Sequence, residues 1–438
     1  MTEATPRDAS YVRTAMLPPA PAPSTQVGAL RWLKENLFSS WLNAILTILS
    51  IYVVWIIVSH LFPWMFNGVW DANSLTECRA LMDERLGEGV RSACFSVITD
   101  RWQQLVFGFY PQDGYWRPPV ALVVFLIAIA PVLFTNLPRQ MLWFSMISPI
   151  LIFTLLWGGS IWGPISAALG FVVGFVAYKE VGRLFSPLAG VVASILIPII
   201  YWLFLAGPVA AGLTGVLDIG LPAVESKDFG GFTLSIVIGL TSIMLSLPLG
   251  ILLALGRMSN LFIINKMSIV FIEVIRGVPL IVWLFTAQLL LNYFLPKGTN
   301  FDLMLRVIIM VTLFSSAYIA EVIRGGLAAL PKGQFEAGDS LGLNYWQSMR
   351  LIILPQALKI SIPGIVSSFI GLFKDTTLVA FIGMYDPIGL TGSIRASTDW
   401  NGVYWELYIF VGAIFFLFCF SMSRYSMYLE RKLQRGNR

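Results

Sequence analysis

Charge is what this 438-residue chain lacks most. Only 12% of its residues are Asp, Glu, Lys or Arg, about half the fraction usual in soluble domains. With 57% hydrophobic residues, that composition argues against a water-soluble fold. Histidine is nearly missing, His60 being the single one, and the three cysteines are Cys78, Cys94 and Cys419. A zinc site of His and Cys ligands is close to excluded, and no metal site is expected. No GxxxxGKS or GxxxxGKT phosphate loop occurs, so the chain does not bind nucleotide in that manner. Residues 371–377, GLFKDTT, contain a glycine and a lysine at the wrong spacing. Serine-nucleophile signatures are missing too, and no covalent chemistry is expected. The net charge of +5 comes from basic residues spread through short loops and tails. Without a basic helix or an aromatic stacking platform, nucleic acid is not an expected partner.

What is present is apolar length. A helix needs about 20 residues, with a range of roughly 17 to 25, to cross a bilayer core. Ten segments qualify: 41–62, 119–136, 141–157, 161–178, 189–206, 232–255, 268–294, 302–323, 352–373 and 404–423. The expected fold is all-α, a polytopic membrane protein of about ten transmembrane helices. Cytoplasmic loops carry the Lys and Arg excess. With the N-terminus inside, the cytoplasmic pieces hold Arg31 and Lys34, Arg139, Lys179 and Arg183, Arg257 and Lys266, then Arg324, Lys332 and Arg350, and the tail RKLQR. The short outer connections GGSIW and PKGTN carry only Lys297. An even number of spans fits this parity and places both termini in the cytoplasm.

Residues 1–40, with PPAPAPS at 18–24, read as a disordered cytoplasmic tail, and no signal-peptide cleavage site follows. Residues 41–225 form a membrane extension of about five spans whose longest soluble segment, 63–118, is expected outside. Cys78 and Cys94 fall in that segment, 16 residues apart. They read either as a disulfide, which an oxidising compartment permits, or as two separate thiols. Cys419 lies in the last apolar span and reads as packing. From about residue 226 to 438, polar residues recur at the edges of the spans and inside them, so recognition is sought there.

Glu273 and Arg276, and Glu321 and Arg324, are spaced three apart and are expected to pair on one helix face near the cytoplasmic ends. Substrate contact is their alternative role. Gln288 and Asn292, one turn apart, and Ser315 and Tyr318, on one face, are candidates to line a pathway. Lys374 and Asp375 end the ninth span on the outer side, as an interfacial ion pair, as a gate or as a contact for an external protein. Most informative is 332–349, KGQFEAGDSLGLNYWQSM. Ala337, Leu341, Tyr345 and Met349 recur at four-residue steps, which predicts a surface helix with one apolar stripe. Helices resting on lipid headgroups favour Lys and Arg on their polar face. This one carries Glu336 and Asp339, so docking into another protein is the better reading.

The same residues carry a resemblance. Glu336, Ala337, Gly342, Ile352, Leu354 and Pro355 stand at the places of the loop shared by membrane subunits of bacterial ABC importers: Glu-Ala-Ala, three residues, Gly, nine residues, Ile-x-Leu-Pro. The second alanine is Gly338 here, which weakens a helix by up to about 1 kcal/mol. FTLSIVIGLTSIMLSLPLGILLALGRMS, FIEVIRGVPLIVWLF, AYIAEVIRGGLAALPKGQFEAG and LPQALKISIPGIVSSFIGLFKDTTLVAFIG resemble the polar amino acid branch of these permeases, the histidine, glutamine and arginine type. The resemblance covers about 226–430, and the extra N-terminal spans look like the M-type permease of general L-amino acid importers. It implies a type I importer core at 226–438, with a coupling helix near 332–349 in which Glu336, Ala337, Gly338, Asp339, Leu341 and Gly342 meet a separate ATPase. It also implies two copies of that ATPase, a second homologous permease, a periplasmic amino-acid-binding protein and a place in the bacterial inner membrane. ATP and Mg would sit on the ATPase, and this chain would bind no cofactor. The alternative from another class is an ion-gradient-driven secondary transporter or channel. That class usually shows a midplane carboxylate or an inverted repeat, and neither is found in the sequence.

Overall fold

Long runs of Leu, Ile, Val and Phe fold as helices in lipid because only intrahelical bonds satisfy the backbone there. The computed structural model describes residues 28–134, 136–290, 293 and 302–435. In chain order its helices are α1 Ala29–Asn36, α2 Trp41–Phe66, α3 Leu75–Leu86, α4 Ser96–Phe107, α5 Arg117–Leu133, α6 Met141–Trp157, α7 Trp162–Leu184, α8 Pro187–Ile200 and α9 Ala206–Val216. The second half holds α10 Gly231–Arg257, α11 Phe262–Gly277, α12 Leu280–Phe285, α13 Leu303–Ala328, α14 Lys332–Ser340, α15 Tyr345–Ser348, α16 Leu354–Asp375, α17 Pro387–Arg395 and α18 Trp405–Arg435. A two-stranded antiparallel ribbon pairs β1 Gly159–Ser160 with β2 Gly220–Leu221.

Eight helical stretches among the described residues are long and apolar enough to cross a membrane, and nine if one bent pair counts as a single span. Two of the ten predicted spans therefore change character. The third is the shorter helix α6, of 17 residues. The seventh, expected straight over 268–294, is α11 followed by a second helix over Leu280–Leu290, bent by 100°. Pro279 causes the break: it lacks the N–H that would continue α11, and it forces the preceding residue out of helical geometry. Val278 is extended, at φ −119° and ψ 134°.

The chain divides into two compact units, Met1–Val69 with Met82–Ala93, and Trp70–Leu81 with Cys94–Arg438. In the first, the predicted tail ends in a short helix, α1, held by an Arg31–Glu35 ion pair at 2.8 Å. Ser40 then caps α2 by accepting from the Asn43 N–H. No residue of α2 is buried, so its apolar surface is left for lipid.

In the second unit, α5 packs on α6, and α7 on α8 and α9. Between apolar helices in lipid there is little hydrophobic driving force, so close approach through small residues matters more. Gly174 and Gly190 do this: an added Cβ would meet Pro198 at 2.7 Å and Gly182 at 2.8 Å. The second half centres on α10, α13 and α16. Leu234, Ile238, Leu284, Val307 and Val379 fill one end of its core, and Ala254, Ile272, Ile319, Ile323, Ile353 and Ala357 fill the other. Residues 94–107 are built onto this core. Cys78 and Cys94 form a disulfide, and the Glu406 carboxylate accepts from the Cys94 N–H at 2.8 Å. Trp400, fully buried, donates its indole N–H to Asp100 at 2.8 Å. Thr233 donates to Val106 O at 2.9 Å, and Gly231 N–H to Tyr385 O at 2.7 Å.

Candidate functional site

The turn between α13 and α16 is built by three local devices. Pro331, extended at φ −59° and ψ 137°, starts α14 in a new direction. Gly342 ends it in the left-handed region at φ 70°, where glycine has no Cβ penalty. Gly342 N–H donates to Asp339 O at 2.9 Å and Leu343 N–H to Gly338 O at 3.2 Å, the paired closing bonds of a Schellman motif. Asn344 and Gln347 then form a reciprocal capping box that starts α15. The single helix expected over 332–349 is thus two helices with a glycine hinge, and the predicted stripe is broken. Ala337, Leu341 and Tyr345 face outward, while Phe335, Gly338, Ser348 and Met349 face the bundle.

The outward side combines acids and large apolar groups. Glu336 and Asp339 are exposed there, beside Leu341 at 71% and Trp346 at 67% exposure. Tyr345 and Trp346 meet edge to face with ring centroids 5.4 Å apart. The inward side is anchored to α16: the Gln356 amide donates to Gln334 Oε1 at 2.8 Å and to Ile352 O at 2.9 Å. Gln356 and Ser348 are participants that the sequence reading missed.

Close to the far end of α10 lies a charge cluster drawn from three helices. Arg324 donates to Glu321 at 2.8 Å, as expected for residues three apart. Glu273 and Arg276 do not pair with each other among the described residues. Glu273 instead takes Arg257 Nη1 at 2.8 Å, and Glu321 takes Arg257 at 3.3 Å and Arg276 at 3.9 Å. Partners on neighbouring helices outcompete the intrahelical pair because Arg257, at the end of α10, reaches both carboxylates. Arg276 also lies 5.2 Å over the Tyr318 ring, a cation–π arrangement. Arg257 entered the sequence reading only as a topological charge.

The other candidates separate. Gln288 donates to Ile382 O at 2.7 Å, so its amide braces the chain beyond α16. Asn292 lies outside the described residues. Ser315 is buried while Tyr318 is exposed, so the two do not share an open face. Lys374 is exposed and Asp375 half-buried at the end of α16, and they form no ion pair among the described residues. Beyond that end, Asp386 caps α17 by accepting from the Gly389 N–H at 2.8 Å and the Ile388 N–H at 3.2 Å. Burial pushes its carboxyl up to about 6, against the pull of those two N–H groups. Among the described residues no group of three or more His, Cys, Asp or Glu could hold a metal ion.

A bundle of long apolar helices with an exposed acidic, aromatic turn defines a polytopic membrane protein. Residues 246–435 match the binding-protein-dependent transport system inner membrane component family. The chain is 58% identical to the glutamate/glutamine/aspartate/asparagine transport system permease protein BztC of Rhodobacter capsulatus, over 98% of this chain and 100% of that one. To the inner membrane amino-acid ABC transporter permease protein YhdY of Escherichia coli strain K12 it is 37% identical, over 96% and 97%. A solved structure described as an amino acid ABC transporter with histidines shares 32% identity, over 45% of this chain and 90% of that one, with a TM-score of 0.41. The chain belongs to the amino-acid ABC transporter permease family and is a multi-pass membrane protein with the type I importer permease fold in its second half.

Proposed function

We propose that this permease is one of two homologous translocation subunits of an importer, and that its α14–α15 turn seats in a groove of a separate ATPase. The observation that carries the reading is the outward face of that turn. Leu341, Tyr345 and Trp346 are exposed beside Glu336 and Asp339, a combination that suits a protein groove better than anionic lipid. Glu336, Ala337, Gly338, Asp339, Leu341 and Gly342 are then the coupling residues, and ATP and Mg are held by two copies of the ATPase. The cytoplasm holds the turn and both termini, and the outer face receives a periplasmic amino-acid-binding protein. Nucleotide-driven closure of the ATPases would move the turn, and the Gln334–Gln356 contact would carry that motion into α16. Glutamate, glutamine, aspartate and asparagine are the proposed cargo, from the relative that matches along its whole length.

Reconstitution in proteoliposomes with an amino-acid importer ATPase, a second permease of this family and a periplasmic amino-acid-binding protein tests this. Uptake of labelled L-glutamate should require ATP, and Gly342→Val, which strains the left-handed hinge, should lower uptake while the chain still inserts. Uptake that persists without ATP and follows a proton gradient would refute the importer. Unchanged ATPase association and uptake in Gly342→Val would refute the docking role.

A further inference from the structure

Gly338 stands where the loop pattern that 336–355 resembles has its second alanine, and the structure supplies a reason for a glycine there. It is the buried residue of α14. A Cβ added there would fall well inside contact distance of Ser348 Oγ and 3.3 Å from Ser348 Cβ, with no other group within 4 Å. Ser348 is itself buried, with helical backbone at φ −59° and ψ −47°. Its main-chain N–H is committed to Asn344 O at 2.9 Å, and the Asn344–Gln347 capping box holds the turn that presents it. The serine therefore cannot withdraw without loosening the start of α15. Rotating its hydroxyl would relieve only the first contact and leave the tight Cβ approach.

We propose that Gly338 and Ser348 are a matched pair of positioning residues: the missing side chain on α14 accommodates the serine on α15, and together they set the angle between the two helices. The loss of helix propensity at Gly338 is offset by this close approach, so the coupling loop is held as firmly as one with alanine facing a smaller neighbour. The inference rests on the reading of α14 and α15 as the ATPase-docking element. It adds that the geometry of that element depends on the volume shared by two residues.

The test is a substitution series in the complete reconstituted complex, with uptake of labelled L-glutamate per ATP hydrolysed as the readout. ATPase co-purification and thermal unfolding are followed in parallel. Gly338→Ala should lower uptake per ATP by about fivefold, the effect of an interaction of roughly the size found between contacting residues. Adding Ser348→Ala, which removes the hydroxyl but leaves the Cβ, should restore coupling in part. Adding Ser348→Gly, which removes both contacts, should restore more of it. If Gly338→Ala instead lowers the yield of folded protein, the same graded order should appear in the unfolding temperatures. Coupling and stability in Gly338→Ala equal to the unsubstituted chain would overturn the pairing, as would equal losses in all three variants. If the unsubstituted complex fails to couple uptake to ATP, the functional reading itself is overturned.

Discussion

Glu321→Gln is the perturbation that discriminates most sharply among accounts of the charge cluster. Glu321 touches three guanidinium groups, Arg324 at 2.5 Å, Arg257 at 3.3 Å and Arg276 at 3.9 Å. Its side chain is 22% exposed and that of Arg257 21%, so neither an open surface nor a dry interior describes the site. Exposed pairs contribute about 0.2 to 1 kcal/mol, and breaking a fully buried pair costs about 3 to 5 kcal/mol. Two interhelical contacts of intermediate burial at about 1 kcal/mol each, with about 0.5 kcal/mol for the intrahelical Arg324 pair, give an expected loss of about 2.5 kcal/mol. Much of it comes from leaving Arg276 and Arg324 without an ion-pair partner among the described residues, while Arg257 keeps Glu273.

Equilibrium unfolding in mixed micelles, followed by tryptophan fluorescence, measures this loss. Arg324→Gln is the control, because a pair within one helix contributes only about 0.5 kcal/mol. Arg257→Gln should cost more than the control, since Arg257 bridges α10 to both α11 and α13. The double variant Glu321→Gln with Arg257→Gln should lose less than the sum of the two singles, because their effects share a contact. A loss in Glu321→Gln below about 0.5 kcal/mol would place the cluster with ordinary surface pairs. Equal losses in Glu321→Gln and Arg324→Gln would refute the claim that the interhelix contacts dominate.

Replacing both Cys78 and Cys94 with serine opens a closed loop of separation 16. It should destabilise the segment by about 3 kcal/mol on the chain-entropy account, read as earlier proteolysis of residues 70–107; unchanged proteolysis would count against it. Asp386 provides a test against pH. Its folded-state value of about 6 stands above its ordinary 3.8, so the folded state binds the extra proton between those values. Stability should therefore fall as pH rises through that window, by roughly 3 kcal/mol in all. Asp386→Asn keeps a cap acceptor without the charge and should flatten this part of the profile, and a slope identical to the parent chain would refute the assignment.

How far the sequence could be read depended on whether a signal was local. Apolar length is local, and the helices follow it closely. The bend at Val278 was also present, in the order Gly277, Val278, Pro279, but hydropathy summed across it and concealed it. The turn over 332–349 shows the same conflict at finer scale. Ala337, Leu341, Tyr345 and Met349 form a stripe only if the helix continues, whereas Gly342 and Asn344 are respectively a helix stop and a helix start. Those two signals outweigh periodicity because each satisfies backbone groups that a stripe of side chains leaves unchanged. Charge pairing failed for a different reason. A spacing of three reveals Glu321–Arg324 and suggests Glu273–Arg276, but nothing along the chain shows that Arg257 arrives beside both carboxylates from another helix. Gly338 combines the two cases. Taken alone it is a weak residue in a helix, and only with Ser348 beside it does its small size become a requirement of the packing.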